Sequence, residues 1–253
     1  MMTSPLYWTI ASFCIILSLY GIVHSDLTIT WKRKKIFLLK ITASSEAIFS
    51  LADTFDVVVM ASSLGGVEAL STVLLALPAN FPVPIIIVQH LSPLYKSHLD
   101  EILNRHTPLT VKWAMSGEHT QAGTVYLAPP DYHVTVTQPG IITLSQTAKV
   151  QFTRPSANPL FESVANCYGK RALAVVLTGA GSDGADGVQA IKRRGGRVLA
   201  QNMGTARAFS MPAAALRTGC VDFSLSLHTV ASALVSLVMV KGASEFFFAS
   251  KIA

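Results

Sequence analysis

Three short runs of apolar residues, at 56–60, 84–88 and 172–177, constrain this chain more than any other feature. A strand with one wet face alternates apolar and polar residues, whereas these runs hardly alternate at all. Each therefore has to be buried on both faces, as strands are in a parallel sheet covered by helices. Helical patterns separate them. Residues 66–77 carry Val67, Leu70, Val73, Leu74 and Leu77 along one stripe and stop at Pro78. Ser97 is placed to cap a short helix, with Asp100 supporting its first turn. Further helices are expected at 159–168, 185–194, 212–217 and 228–241. The one at 185–194 ends in Lys192, Arg193 and Arg194, followed by Gly195 and Gly196. Residues 109–114, 124–128 and 197–200 read as additional strands, and 134–137 with 141–144 flank Pro139-Gly140 as a hairpin. The expected fold is α/β, a mostly parallel doubly wound sheet flanked by helices, with one antiparallel hairpin.

Composition narrows the function classes. With 51% hydrophobic and 13% charged residues among 253, the chain is not of a disordered type. Its net charge of +6 is concentrated in Lys32, Arg33, Lys34 and Lys35, so the remainder is nearly balanced and no nucleic-acid partner is expected. Cys14, Cys167 and Cys220 are far apart and form neither a disulfide framework nor a zinc pattern, which fits a reducing cytosol. The seven histidines have no metal-type spacing, and neither a metal nor an organic cofactor is expected.

Residues 5–23 form an uncharged stretch long enough to cross a bilayer as a helix, and the basic cluster at 31–35 follows it. On one reading this is an anchor that holds a cytoplasmic catalytic domain at the inner membrane. On the other, the segment is only an upstream extension. The expected organisation is an N-terminal extension at 1–54, a catalytic domain at 55–241 and a tail at 242–253.

Three polar residues stand just beyond the C-terminal ends of the three apolar runs: Ser63, His90 and Asp183. In open parallel sheets, ligands and chemistry collect at that edge. Hydroxyl, imidazole and carboxylate make a nucleophile, a general base and its orienting group wherever geometry unites them, in any chain order. Ser63 lies in Ala61-Ser62-Ser63-Leu64-Gly65-Gly66, where the start of the following helix offers amides for an oxyanion. Each residue also has a structural alternative. Ser63 could belong to a small-residue turn, His90 could be a packed strand-end histidine, and Asp183 could be a helix cap.

The segments ASSLGGVEAL, IIIVQHLSP, YLAPPDYHV, RPSANPLFESVA, VVLTGAGSDGADGV, LAQN and FSMPAAAL follow one another between Asp56 and Leu227. In that order they resemble the catalytic domain of CheB-type protein-glutamate methylesterases. The resemblance implies that Ser63 is the nucleophile, His90 the general acid and base, and Asp183 the residue orienting the histidine. It links the Ala180 N–H to the oxyanion hole. It also implies hydrolysis of glutamyl methyl esters, deamidation of glutamine by the same route, and methyl-accepting chemotaxis receptors as partners. Two departures stand out: Leu64 replaces a smaller or hydroxylic residue, and Asn158 replaces the aspartate of an RPS-x-D pattern. The family often carries an N-terminal receiver domain, for which the residues before Asp56 are too few. A related esterase with another substrate, or a non-catalytic signalling domain, remain alternatives.

Overall fold

A computed structural model describes residues 55–240 of the protein. The expectations for the 1–54 extension, including a membrane helix at 5–23, and for the 242–253 tail lie outside the described residues. Along the chain the elements are β1 (Val57–Ser62), α1 (Gly66–Leu75), β2 (Ile85–Gln89), α2 (Leu99–Asn104), β3 (Thr110–Trp113) and β4 (Thr124–Leu127). The hairpin β5 (His133–Gln138) and β6 (Ile141–Ser145) follows, then α3 (Ala157–Tyr168), β7 (Ala172–Val176), α4 (Ala185–Arg193) and β8 (Arg197–Gln201). The last elements are α5 (Ser210–Arg217), β9 (Phe223–Leu225) and α6 (Leu227–Met239).

Seven strands form one parallel sheet in the order β3-β4-β2-β1-β7-β8-β9, and β5 pairs with β6 in a separate antiparallel ribbon. The doubly wound α/β sheet and hairpin read from the sequence are both present. β1 explains the unbroken apolar runs. Val58 and Met60 enter one core with α1, α2 and α6, while Val57, Val59 and Ala61 enter a second core with α3, α4 and α5. Successive side chains point to opposite faces, and here both faces are dry.

Two details differ from the sequence reading. β9 was not expected, because three residues with an exposed Ser224 carry too little pattern to register as a strand. Val67 is exposed rather than part of the buried stripe, because at the start of α1 it lines an open cleft. Among the described residues, no helix is long and apolar enough to cross a membrane.

The connection from β1 to β2 passes through α1 on one face, and that from β7 to β8 passes through α4 on the other. β2 and β7 are the two neighbours of β1. The flanking helices therefore diverge at β1, and a crevice opens beyond the C-terminal ends of these three central strands.

α3 and α4 cross very closely: a Cβ on Gly187 would lie 2.5 Å from the Cβ of the fully buried Phe161. Replacing a mid-helix glycine by alanine gains up to about 1 kcal/mol in helix propensity. Overpacking a core costs roughly 1–3 kcal/mol, so the clash dominates. Gly187→Ala is expected to lower the urea midpoint followed by circular dichroism, and a midpoint equal to or above wild type would contradict this packing.

Candidate active site

Ser63, His90 and Asp183 follow three adjacent strands, β1, β2 and β7. The backbone ladder continues past the strand ends and fixes their loops to one another. His90 N–H donates to Ser62 C=O at 3.0 Å, Ser63 N–H to Thr178 C=O at 3.0 Å, and Leu177 N–H to Ala61 C=O at 2.9 Å. Two buried side chains reinforce this frame. Gln89 accepts from Ser62 Oγ at 2.6 Å and donates through Nε2 to the carbonyls of Ser63 and His90, at 2.9 and 3.0 Å. Thr178 Oγ1 donates to Leu64 C=O at 3.0 Å, so the exposed Leu64 side chain leaves the loop held through its backbone.

Asp183 is 3% exposed, yet its carboxylate is surrounded by donors. His90 Nε2 lies 2.7 Å from Oδ2, and Ala157 N–H donates to the same oxygen at 2.6 Å. Oδ1 accepts from Ser156 Oγ at 2.6 Å, Gly184 N–H at 2.9 Å and Asn158 N–H at 3.2 Å. The helix that Asp183 serves is thus not α4, which follows it and is capped by Gly184, but α3, whose first amides it receives. Burial by itself raises the affinity of this carboxyl for protons. The hydrogen bonds from His90, Ser156 and Ala157 outweigh burial and hold the group below the ordinary carboxylate range. An ionised Asp183 accepts only, so His90 Nε2 carries the proton, and in the neutral ring Nδ1 is left as the basic nitrogen.

Ser63 and His90 line one open cleft of about 620 Å³, together with Leu64, Gly65, Glu68 and Arg207. The structure unites His90 with Asp183 by a hydrogen bond and places Ser63 in the same cleft. Among the described residues, Ser63 Oγ has no hydrogen-bond partner, so the expected continuous chain of three groups is closed on one side only. The amide of Gly66, at the start of α1, is taken by Ser63 C=O at 2.8 Å. The Ala180 N–H, by contrast, makes no hydrogen bond among the described residues. No group of His, Cys, Asp and Glu among these residues is arranged to hold a metal ion.

Sequence reasoning missed the residues that hold these groups in place. Ser156 gave no signal beyond its place in RPSANP. The buried His133 accepts from Ser156 N–H through Nδ1 at 3.2 Å, and its Nε2 lies 3.2 Å from Ala148 C=O. It therefore supports the residue that supports Asp183. Asn158 does without the missing carboxylate: Oδ1 accepts from Gly187 N–H at 2.9 Å and Nδ2 approaches Asp186 at 3.5 Å, tying α3 to α4.

Comparison with known proteins bears on the family and the fold. A family model described as CheB methylesterase matches residues 58–234. A protein of Leptospira interrogans bearing the name protein-glutamate methylesterase/protein-glutamine glutaminase is 36% identical over 183 residues, which cover 72% of this chain and 95% of the relative. One of that name from Anaeromyxobacter dehalogenans is 41% identical over 182 residues, covering 72% of this chain and 53% of the relative. The chain thus spans nearly all of one relative and about half of the other. The crystal structure of the Thermotoga maritima CheB methylesterase catalytic domain superimposes with a TM-score of 0.70 at 35% identity, over 73% of this chain and all of that one.

The hydrogen bonds to Asp183 have a consequence for acid stability. A carboxyl held low in the folded state contributes stability that is present above its unfolded value and is lost as pH falls through the folded value. Ser156→Ala removes one charge-assisted hydrogen bond, worth roughly 1.5–3 kcal/mol. It is expected to shift acid unfolding, followed by circular dichroism below the ordinary carboxylate range, to higher pH. An unchanged acid transition would show that Ser156 does not stabilise the ionised group.

Proposed function

Because the chain belongs to the CheB methylesterase family, we propose that it is a serine hydrolase that converts glutamyl γ-methyl esters in proteins to glutamate. The observation that carries this reading is an imidazole gripped through Nε2 by a buried carboxylate, with a serine at the same cleft. That arrangement supplies a base whose tautomer is fixed beside a hydroxyl.

The proposed reaction uses these groups in turn. Ser63 turns its Oγ to His90 Nδ1, a side-chain rotation of the kind that completes many sites only when substrate is bound. As Oγ forms a bond to the ester carbonyl carbon, its proton passes to Nδ1, and Asp183 stabilises the imidazolium. The carbonyl oxygen becomes anionic and is met by the Ala180 N–H, an interaction commonly worth roughly 3 kcal/mol per donor. Collapse breaks the bond to the methoxy oxygen, which takes the proton from His90 and leaves as methanol. Water then adds to the acyl-serine with His90 again as base, and glutamate and free Ser63 are released. A glutamine side chain would follow the same route with ammonia leaving, which accounts for the second activity in the relatives' name. The proposed targets are methyl-accepting chemotaxis receptors.

Ser63→Ala is expected to lower methanol release from a methylated receptor by at least about a thousandfold, and Asp183→Asn by about 10³–10⁴ through loss of the correct tautomer. Both variants should be checked for native circular dichroism. Undiminished release by a folded Ser63→Ala chain would remove the serine from the mechanism.

A further inference from the structure

We propose that Arg207 forms a carboxylate-binding subsite that selects protein substrates bearing an acidic side chain beside the ester. This inference rests on the esterase reading and specifies what that site prefers. Arg207 lines the cleft shared by Ser63 and His90. It also lines an adjoining hollow of about 400 Å³ with Thr178, Gln201, Thr205 and Ala206. It therefore stands between two compartments, one holding the reactive groups and the other walled by small residues, by Thr178, Gln201 and Thr205, and by Glu68.

Its guanidinium is exposed and, among the described residues, makes no ion pair. Arg154, by contrast, is bound to Asp131 and Arg171 to Asp56. Glu68 lines both compartments too, yet no ion pair joins it to Arg207. The cleft thus presents a cation whose hydrogen-bonding positions are not used among the described residues. A guanidinium is a planar set of donors suited to a carboxylate, and it keeps its charge at all working pH values.

The backbone that carries Arg207 is fixed relative to the nucleophile. Ala208 N–H donates to Thr178 Oγ1 at 2.8 Å, and Ala208 C=O accepts from Gly179 N–H at 2.9 Å. Thr178 is the residue whose carbonyl receives the Ser63 amide and whose hydroxyl holds Leu64. On the far side, the Arg207 Cβ packs where a Gly65 side chain would stand, 2.8 Å from that missing Cβ. One threonine and one glycine thereby set the spacing between the reacting serine and the cation. With an ester in the first compartment, a neighbouring carboxylate of the same protein segment reaches Arg207 from the second. A neutral ester has no charge for Arg207 to bind, so the discrimination comes from the neighbour and not from the reacting group.

The test uses the full chain and two synthetic peptides, each with one glutamyl γ-methyl ester, flanked by Glu in one and by Gln in the other. Binding is measured on Ser63→Ala chains, which hold the ester intact, carrying Arg207, Arg207→Gln or Arg207→Lys. With Arg207 the acidic peptide is expected to bind about tenfold more tightly than the neutral one, less so at high salt. The preference should vanish in Arg207→Gln and persist in part in Arg207→Lys. Equal binding of both peptides, no measurable binding of the acidic peptide, or a preference that survives in Arg207→Gln overturns the subsite. Methanol release from each peptide by the native chain reports separately on the esterase reading. Release without an Arg207-dependent preference removes the subsite alone, whereas that preference without release removes the esterase reading alone.

Discussion

The carboxylate of Asp183 is the point on which the site depends. A buried carboxylate without partners would take up a proton or destabilise the fold by several kcal/mol. Here the first amides of α3, the Ser156 hydroxyl and the Gly184 amide surround it, and His90 completes the set. The same bonds do two things. They satisfy helix-terminal amides that have no partner within α3, and they keep Asp183 ionised so that it can orient an imidazole.

The topology makes that concentration possible. Because β1 lies between β2 and β7, and its flanking helices depart on opposite faces, the three strand ends open into one crevice. Gln89 and Thr178 then join the loops through hydrogen bonds to backbone carbonyls. Backbone contacts tolerate changes of side chain, so Leu64 can stand next to the serine without loosening the loop. Rigidity on this scale favours acyl transfer, where small displacements of the reacting groups are costly.

Much of the site was legible because burial leaves a strong local signature. An apolar run followed by a polar residue marks both a central strand and the C-terminal edge of the sheet, where Ser63, His90 and Asp183 stand. The supporting residues leave no such trace. Ser156 reads as an ordinary cap residue, His133 as one histidine among seven, and Gln89 as the polar end of a strand. Their roles arise from partners 23 to 27 residues away in the chain.

The sequence by itself determined the strands, their burial on both faces and the three residues at their ends, since hydrophobic periodicity is a property of neighbouring residues. Only the tertiary structure decided which strands are adjacent, which helix the Asp183 carboxylate serves and which nitrogen of His90 meets that carboxylate. Those outcomes depend on distances between segments far apart in the chain. Local pattern does not encode such distances; the packing of two helical layers onto one sheet sets them.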